Sequence, residues 1–221
     1  MSQFKTIDDL DVAGKRVLVR ADLNVPMKDG KVTDSTRIDR TVPTLTELTG
    51  KGARVVVMTH FGRPKGQVVA EMSLAPVAEA LSKACGKPVG FATDTVGDSA
   101  RQLISEMNDG DIVMLENLRF NPGEEANDKD FTAELATLGD AYVSDAFSCS
   151  HRAHASTEGL AHLMPAAAGR LMQVEVESLA AALEIPTPPV AAVVGGAKVS
   201  TKMEVLGNLA SKVDVLIIGG G

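Results

Sequence analysis

Tryptophan is absent from this 221-residue sequence, tyrosine occurs once and phenylalanine six times. So few aromatics leave no platform for stacking bases. Cysteine is nearly as scarce, with only Cys85 and Cys149. Two thiols make no disulfide framework, and a reducing cytoplasm is the expected setting. No apolar run is long enough to cross a bilayer. The opening MSQFKTIDDLDVAGK lacks the apolar centre of a signal peptide. Positive charge is in deficit, with 22 Lys and Arg against 29 Asp and Glu, a net charge of −7. That balance argues against bulk binding of nucleic acid or anionic membranes, and leaves room for a local cationic pocket.

Hydrophobic residues make up 44% of the chain, enough for one large domain or two small ones with proper cores. Apolar runs of strand length alternate with helical patterns. Strands are expected at Lys15–Arg20, Ala53–Met58, Pro88–Phe91, Asp111–Leu115, Ala141–Ser144, Val190–Val194 and Val213–Ile218. Helices are expected from Ser35, as a cap, to about Leu48, from Ser73 or Leu74 to Cys85, and over Gly97–Met107, Lys129–Leu138 and Ser200–Leu209. One further long helix is expected over Ala167–Leu183. Pro43 threatens a kink in the first helix, and Pro186, Pro188 and Pro189 mark a boundary. The alternation predicts an α/β fold with a doubly wound parallel sheet, helices on both faces. The run Val213-Asp214-Val215-Leu216-Ile217-Ile218 reads as a central strand. Too little chain follows the prolines to bury it, so it either joins the first sheet or opens a larger second lobe.

Ligands of open α/β sheets bind beyond the carboxyl ends of the strands. The first strand leads into Asp22 and Asn24, the second into His60 and Arg63, and later ones into Arg119 and into His151, Arg152 and His154. Arg37 falls near the first of these loops. Guanidinium groups grip phosphate and carboxylate in paired hydrogen bonds, so this set suits a small polyanion. Each residue alone also has a plainer reading. A strand-end arginine can be a solvated charge, with Arg37 paired to Asp34. His60 can be structural, Asp22 and Asn24 turn formers, and Cys149 a small packing residue. Only their gathering at one edge favours a site. Gly195-Gly196-Ala197-Lys198-Val199-Ser200-Thr201-Lys202 runs from a strand into a helix, where amides and two lysines four apart could meet phosphate. Its spacing is neither a Walker loop nor a dinucleotide fingerprint.

VLVRADLNVP, STRIDRTVPTL, THFGRP, ENLRF, SHRAHAS and GGAKVSTK occur here in one order. Together they resemble phosphoglycerate kinases, from about residue 4 to the end. The resemblance implies a Rossmann-like N-terminal lobe over 1–166, an interlobe helix over 167–185 and the beginning of a nucleotide-binding lobe over 186–221. It implies 3-phosphoglycerate binding by Asp22, Asn24, Arg37, His60, Arg63, Arg119 and Arg152. It further implies nucleotide contacts from Gly195, Gly196, Lys198, Lys202, Gly219 and Gly220, with Arg37, Lys198 and Lys202 stabilising the transferred group. The implied partners are 1,3-bisphosphoglycerate or 3-phosphoglycerate and ATP or ADP with Mg²⁺. The parent enzyme is expected to be a cytoplasmic monomer of glycolysis with lobes that close to exclude water. Phe61 and Ser148-Cys149-Ser150 depart from the commoner family residues at uncharged positions. The family is about twice as long, and the carboxylate expected to hold Mg²⁺ is not in this chain. The 221 residues are therefore expected to be a fragment without kinase activity. The alternative is a non-catalytic module that binds 3-phosphoglycerate.

Overall fold

A computed structural model describes residues 4–184, 187–195 and 203–219. It divides into two compact units, Met1–Gln173 and Val174–Gly221.

The first unit begins with β1 (Arg16–Ala21), a hairpin of β2 (Met27–Lys28) and β3 (Lys31–Val32), and α1 (Thr36–Gly50). Next come β4 (Arg54–Met58), α2 (Ala75–Cys85), β5 (Val89–Phe91), α3 (Asp98–Ser105) and β6 (Ile112–Met114). The chain continues through α4 (Pro122–Ala126), α5 (Lys129–Ala136), β7 (Ala141–Asp145), α6 (Leu160–Leu163) and β8 (Ala166–Ala168). Six strands form one parallel sheet in the order β5-β6-β4-β1-β7-β8. β1 lies inside it, with Val19 opposite both Val57 of β4 and Val143 of β7. From β1 the chain moves to one side of the sheet and later returns to the other, so the order reverses beside β1. Such a reversal opens a crevice at the carboxyl edge.

Alternate strand residues face opposite sides, and the core is split accordingly. Val17, Val19, Val55 and Val57 pack with Ile38, Leu45 and Leu48 of α1 and Val77 and Leu81 of α2. Leu18, Val56 and Tyr142 pack on the other face with Ile104, Phe131, Leu135 and Leu160. Both faces are covered, which is why these strands read as nearly unbroken apolar runs.

Several expectations need correction. Ser35 does not cap α1 through its side chain. Its ψ of 1° takes it out of the extended cap conformation. Its hydroxyl donates instead to Asp39 at 2.8 Å, and Asp34 accepts from the Thr36 amide at 2.8 Å. α1 runs without a break through the exposed Pro43. The long helix does not start at Ala167. Ala166–Ala168 is β8, paired with β7, and Ala168 donates to the carbonyl of Lys5 at 2.9 Å. Alanine favours helix locally, but the open edge of β7 wins here. The helix itself, α7, is Arg170–Leu183. The β2–β3 hairpin, α4 and a π-helical turn at Ala155–Gly159 were not expected.

The second unit holds α7 from Val174 on, β9 (Ala191–Val194), α8 (Met203–Ala210) and β10 (Val215–Ile218). β9 and β10 form their own two-stranded parallel sheet and do not join the first. β10 is not a central strand among the described residues, and its Ile218 is 60% exposed.

Candidate functional site

The carboxyl ends of β1, β4, β6 and β7 carry the loops singled out by sequence. Their backbones are stitched together by buried polar groups. Leu23 donates its amide to Thr59 Oγ1 at 2.9 Å, joining the β1 and β4 loops. Asn24 Oδ1 accepts from the amide of Gly62 at 3.2 Å. Asn117, fully buried after β6, takes the Phe61 amide at 3.1 Å and donates to the Phe61 carbonyl at 2.8 Å. Glu116 beside it accepts from Ser73 Oγ at 2.7 Å and the Leu74 amide at 2.8 Å, anchoring the start of α2.

Asp22 is held by Arg37 from α1 and by the Ser148 hydroxyl from the loop after β7. Burial disfavours its charge, but the Ser148 hydroxyl and Arg37 outweigh that and hold its carboxyl below the usual range. Arg37 therefore pairs with Asp22, not with Asp34. Its side chain is half exposed, so its remaining N–H groups face solvent or a ligand. Arg119 is buried and donates to the Gly62 carbonyl at 2.8 Å, with Glu125 3.1 Å from its Nε. Arg152 is half-buried and its Nε donates to His151 at 3.1 Å. Arg63 is exposed and has no hydrogen bond or ion pair among the described residues.

His60 is 4% exposed. Burial, then the charges of Arg20 and Arg119, push its pKa down to about 3, against the opposing pull of Asp22. At neutral pH it is an uncharged ring. Arg20 NH2 lies 3.0 Å from His60 Nδ1. A guanidinium only donates, so Nδ1 accepts and Nε2 carries the proton.

Arg20, at 1% exposure, is the residue that reading the sequence missed. It lies on the Leu18 face of β1 by strand alternation. Its Nε donates to Ser156 Oγ at 2.8 Å, and a second nitrogen donates to the carbonyl of Ala21. Ser156 in turn gives its hydroxyl to Glu124 at 2.6 Å and its amide to the same carboxylate at 3.0 Å. Glu124 is fully buried. The signal was available: an arginine inside VLVRA must be buried, and a buried charge needs partners.

Asp22, His60 and Cys149 bring ligand atoms within 4.8 Å of one another. Their surroundings suit an anion better than a cation. Arg20 occupies His60 Nδ1, Arg37 and Ser148 occupy Asp22, and Arg20 NH2 is 4.0 Å from Cys149 Sγ. Beside these loops lies a depression of about 590 Å³, lined by Asn24, Phe61 and Arg37 among others. A larger one of about 740 Å³ lies between the hairpin and α2 and includes none of the residues singled out.

Of the residues expected at the nucleotide, Gly195 and Gly219 are described. Gly219 donates its amide to Val194 at 2.8 Å, and a Cβ on Gly195 would come 3.2 Å from the Gly219 carbonyl. The ends of β9 and β10 thus approach closely there. Gly196, Lys198, Lys202 and Gly220 lie outside the described residues.

Fold and crevice together define a doubly wound α/β protein with cationic side chains at the carboxyl edge of its sheet. Residues 7–221 match the family model for phosphoglycerate kinase, and the chain belongs to that family. It is 62% identical over 218 residues to the phosphoglycerate kinase of Rhodospirillum centenum, covering 99% of this chain and 55% of the relative. It is 61% identical over 219 residues to that of Rhizobium meliloti, with the same shares covered. Among solved structures, phosphoglycerate kinase from Coxiella burnetii superposes with a TM-score of 0.88 at 45% identity, covering 99% of this chain and 55% of that one. The Pyrococcus horikoshii enzyme gives 0.87 at 33% identity, covering 98% and 55%. The chain therefore spans about half the length of the relatives it matches.

Proposed function

We propose that this chain carries the phosphoglycerate-binding part of a glycolytic phosphoglycerate kinase. The reaction is reversible transfer of the acyl phosphate of 1,3-bisphosphoglycerate to ADP, giving 3-phosphoglycerate and ATP. The observation that carries the reading is the meeting of Asp22, Arg37, His60, Arg119 and Arg152 around one sheet edge. Asp22 feels the charge of Arg37, and His60 feels those of Asp22, Arg119 and Arg152. In this reading Asp22 and Asn24 take the hydroxyl of the substrate, and His60, Arg63, Arg119 and Arg152 take its anionic groups. Arg37, tied to Asp22 by one nitrogen, keeps donors for the oxygens of the moving group. Lys198 and Lys202 would share that task, and Gly195, Gly196, Gly219 and Gly220 would border the nucleotide. The residues through β8 would form the substrate lobe, α7 the connecting helix and 186–221 the start of the nucleotide lobe. A monomer in the cytoplasm is the matching setting.

Nucleotide would arrive with Mg²⁺. That ion takes carboxylate, phosphate and water oxygens, not imidazole or thiolate. The Asp22, His60 and Cys149 group does not fit it. No step is therefore assigned to a metal held by the described residues.

Phosphoryl transfer needs positioning and cations around spreading negative charge, with little covalent help. The substrate half can therefore bind without turning over. Calorimetric titration of the 221-residue chain should show heat with 3-phosphoglycerate and almost none with ATP. Arg152→Ala should weaken the former by roughly tenfold or more, as loss of a charge-assisted contact does. No heat with 3-phosphoglycerate would defeat the reading. In a chain extended to the length of its relatives, Arg37→Ala should lower kcat far more than it raises KM. An unchanged kcat would remove Arg37 from the transfer step.

A further inference from the structure

Behind these loops, at the end of β1, lies a buried charge that has no surface to offer a ligand. Arg20 is 1% exposed, yet it sits directly behind His60. A charge buried this deeply is costly unless its partners are fixed. Here the partners form a chain across the unit: Glu124 from α4, Ser156 from the π-helical turn, Arg20 from β1 and His60 after β4. The links are 2.6 Å from Ser156 to Glu124, 2.8 Å from Arg20 to Ser156 and 3.0 Å from Arg20 to His60. Tyr142 closes the turn from below by donating to the Ser156 carbonyl at 2.9 Å.

A neutral imidazole can present either a donor or an acceptor, and the hydrogen bond to its other nitrogen decides which. Both are open to a free ring, and only the Nε2–H form can donate to a phosphate or carboxylate oxygen from that side. Nε2 has no hydrogen-bond partner among the described residues. The groups acting on the ring are Arg20 from β1, Asp22 from the loop after it, and Arg119 and Arg152 from the loops after β6 and β7. Cys149 completes the surroundings.

We infer that Arg20 is a positioning residue: braced by Ser156 and Glu124, it locks His60 as the neutral Nε2–H tautomer, so that the ring meets an anionic substrate as a donor. Arg20 does not touch the substrate; it acts through His60. The benefit to 3-phosphoglycerate rests on the functional reading above, whereas the tautomer itself does not.

The test is nitrogen NMR of the 221-residue chain labelled in histidine, of which it has four. His60 should show a protonated Nε2, a bare Nδ1 and no titration between about pH 8 and pH 5, since its pKa sits near 3. An Nδ1–H ring, or a charged one at pH 7, overturns the inference without any variant. Arg20→Met keeps the bulk and removes the donor, so the Nδ1–H form should become populated and the ring should titrate at higher pH. Ser156→Ala keeps the charge but frees the guanidinium, and should move His60 in the same direction to a smaller extent. A wild-type His60 spectrum in these folded variants overturns the inference. Titration with 3-phosphoglycerate separates the two readings. Roughly tenfold weaker binding by Arg20→Met is expected. Wild-type chain with the Nε2–H signature but no binding would defeat the substrate reading and leave the tautomer assignment standing.

Discussion

At the scale of single residues, the site depends on which polar atoms are already engaged. Asp22 and Arg37 face each other, so neither is a free charge waiting for solvent. Arg63 alone among the expected cations has no partner among the described residues, which makes it the group freest to follow a ligand. Tyr142, the sole tyrosine, is 1% exposed, and burial raises its hydroxyl to a pKa of about 12. It stays protonated and donates to Ser156, so it supports the turn that braces Arg20. Tyr142→Phe strands a buried carbonyl and should cost about 1 kcal/mol of stability in chemical denaturation. A change of under a few tenths would mean that the turn does not depend on that bond.

At the scale of elements, the first turn of α7 is capped by groups from elsewhere in the fold. The Arg170 amide donates to Thr44 of α1 at 2.9 Å. The amides of Leu171 and Met172 donate to Asp145 Oδ1 at 2.9 and 3.1 Å. Asp145 ends β7 and is fully buried, so burial pushes its carboxyl pKa up. The same strand end feeds the loop that brings Ser148 to Asp22. Gly169 makes the packing possible, because a Cβ there would lie 2.3 Å from Asp145 Oδ1. Gly169→Ala should therefore displace the carboxylate and destabilise the protein by about 1–3 kcal/mol. Thermal melts of Gly169→Ala and Asp145→Asn should both shift downward, and an unshifted Gly169→Ala melt would show that the carboxylate yields freely.

At the scale of the whole molecule, several perturbed groups act on stability in the same sense. His60 is lowered from 6.5 to about 3, so the unfolded chain takes up its proton first as pH falls. Its contribution is present above pH 6.5 and lost on the way to about 3. Glu47, bound by Arg170 and Lys51, is lowered from 4.5 to about 2 and adds a second loss below 4.5. Asp145 opposes them with its raised pKa. Stability should thus start to fall between pH 6.5 and 5, before the bulk of the carboxylates titrate. His60→Gln should reduce that early slope, the remainder coming from His154, whose pKa burial also lowers, and a flat profile from pH 7 to 5 in the wild type would refute the His60 term. The second unit offers a different contrast. Among the described residues, β9, β10, α8 and the later part of α7 leave Val215, Ile217 and Ile218 each about half exposed or more. Amide exchange should be much faster in β9 and β10 than in β1, β4 and β7, and equal protection would require a cover for β10.

Periodicity and composition were enough to reveal the alternation of strand and helix. Each apolar run is short, local and bounded by glycine or polar turns, so its burial is written into a few adjacent residues. The charged loops were legible for a related reason, since each follows directly on a strand. Tertiary structure alone decided what those loops do to one another. The pairing of Arg37 with Asp22 rather than Asp34, the strand at Ala166–Ala168 and the tautomer of His60 all depend on partners distant in the chain. The last depends on Arg20 being anchored by Ser156, 136 positions away. Such contacts leave no periodic trace, because hydrogen bonding across a sheet is settled by three-dimensional neighbours and not by sequence neighbours.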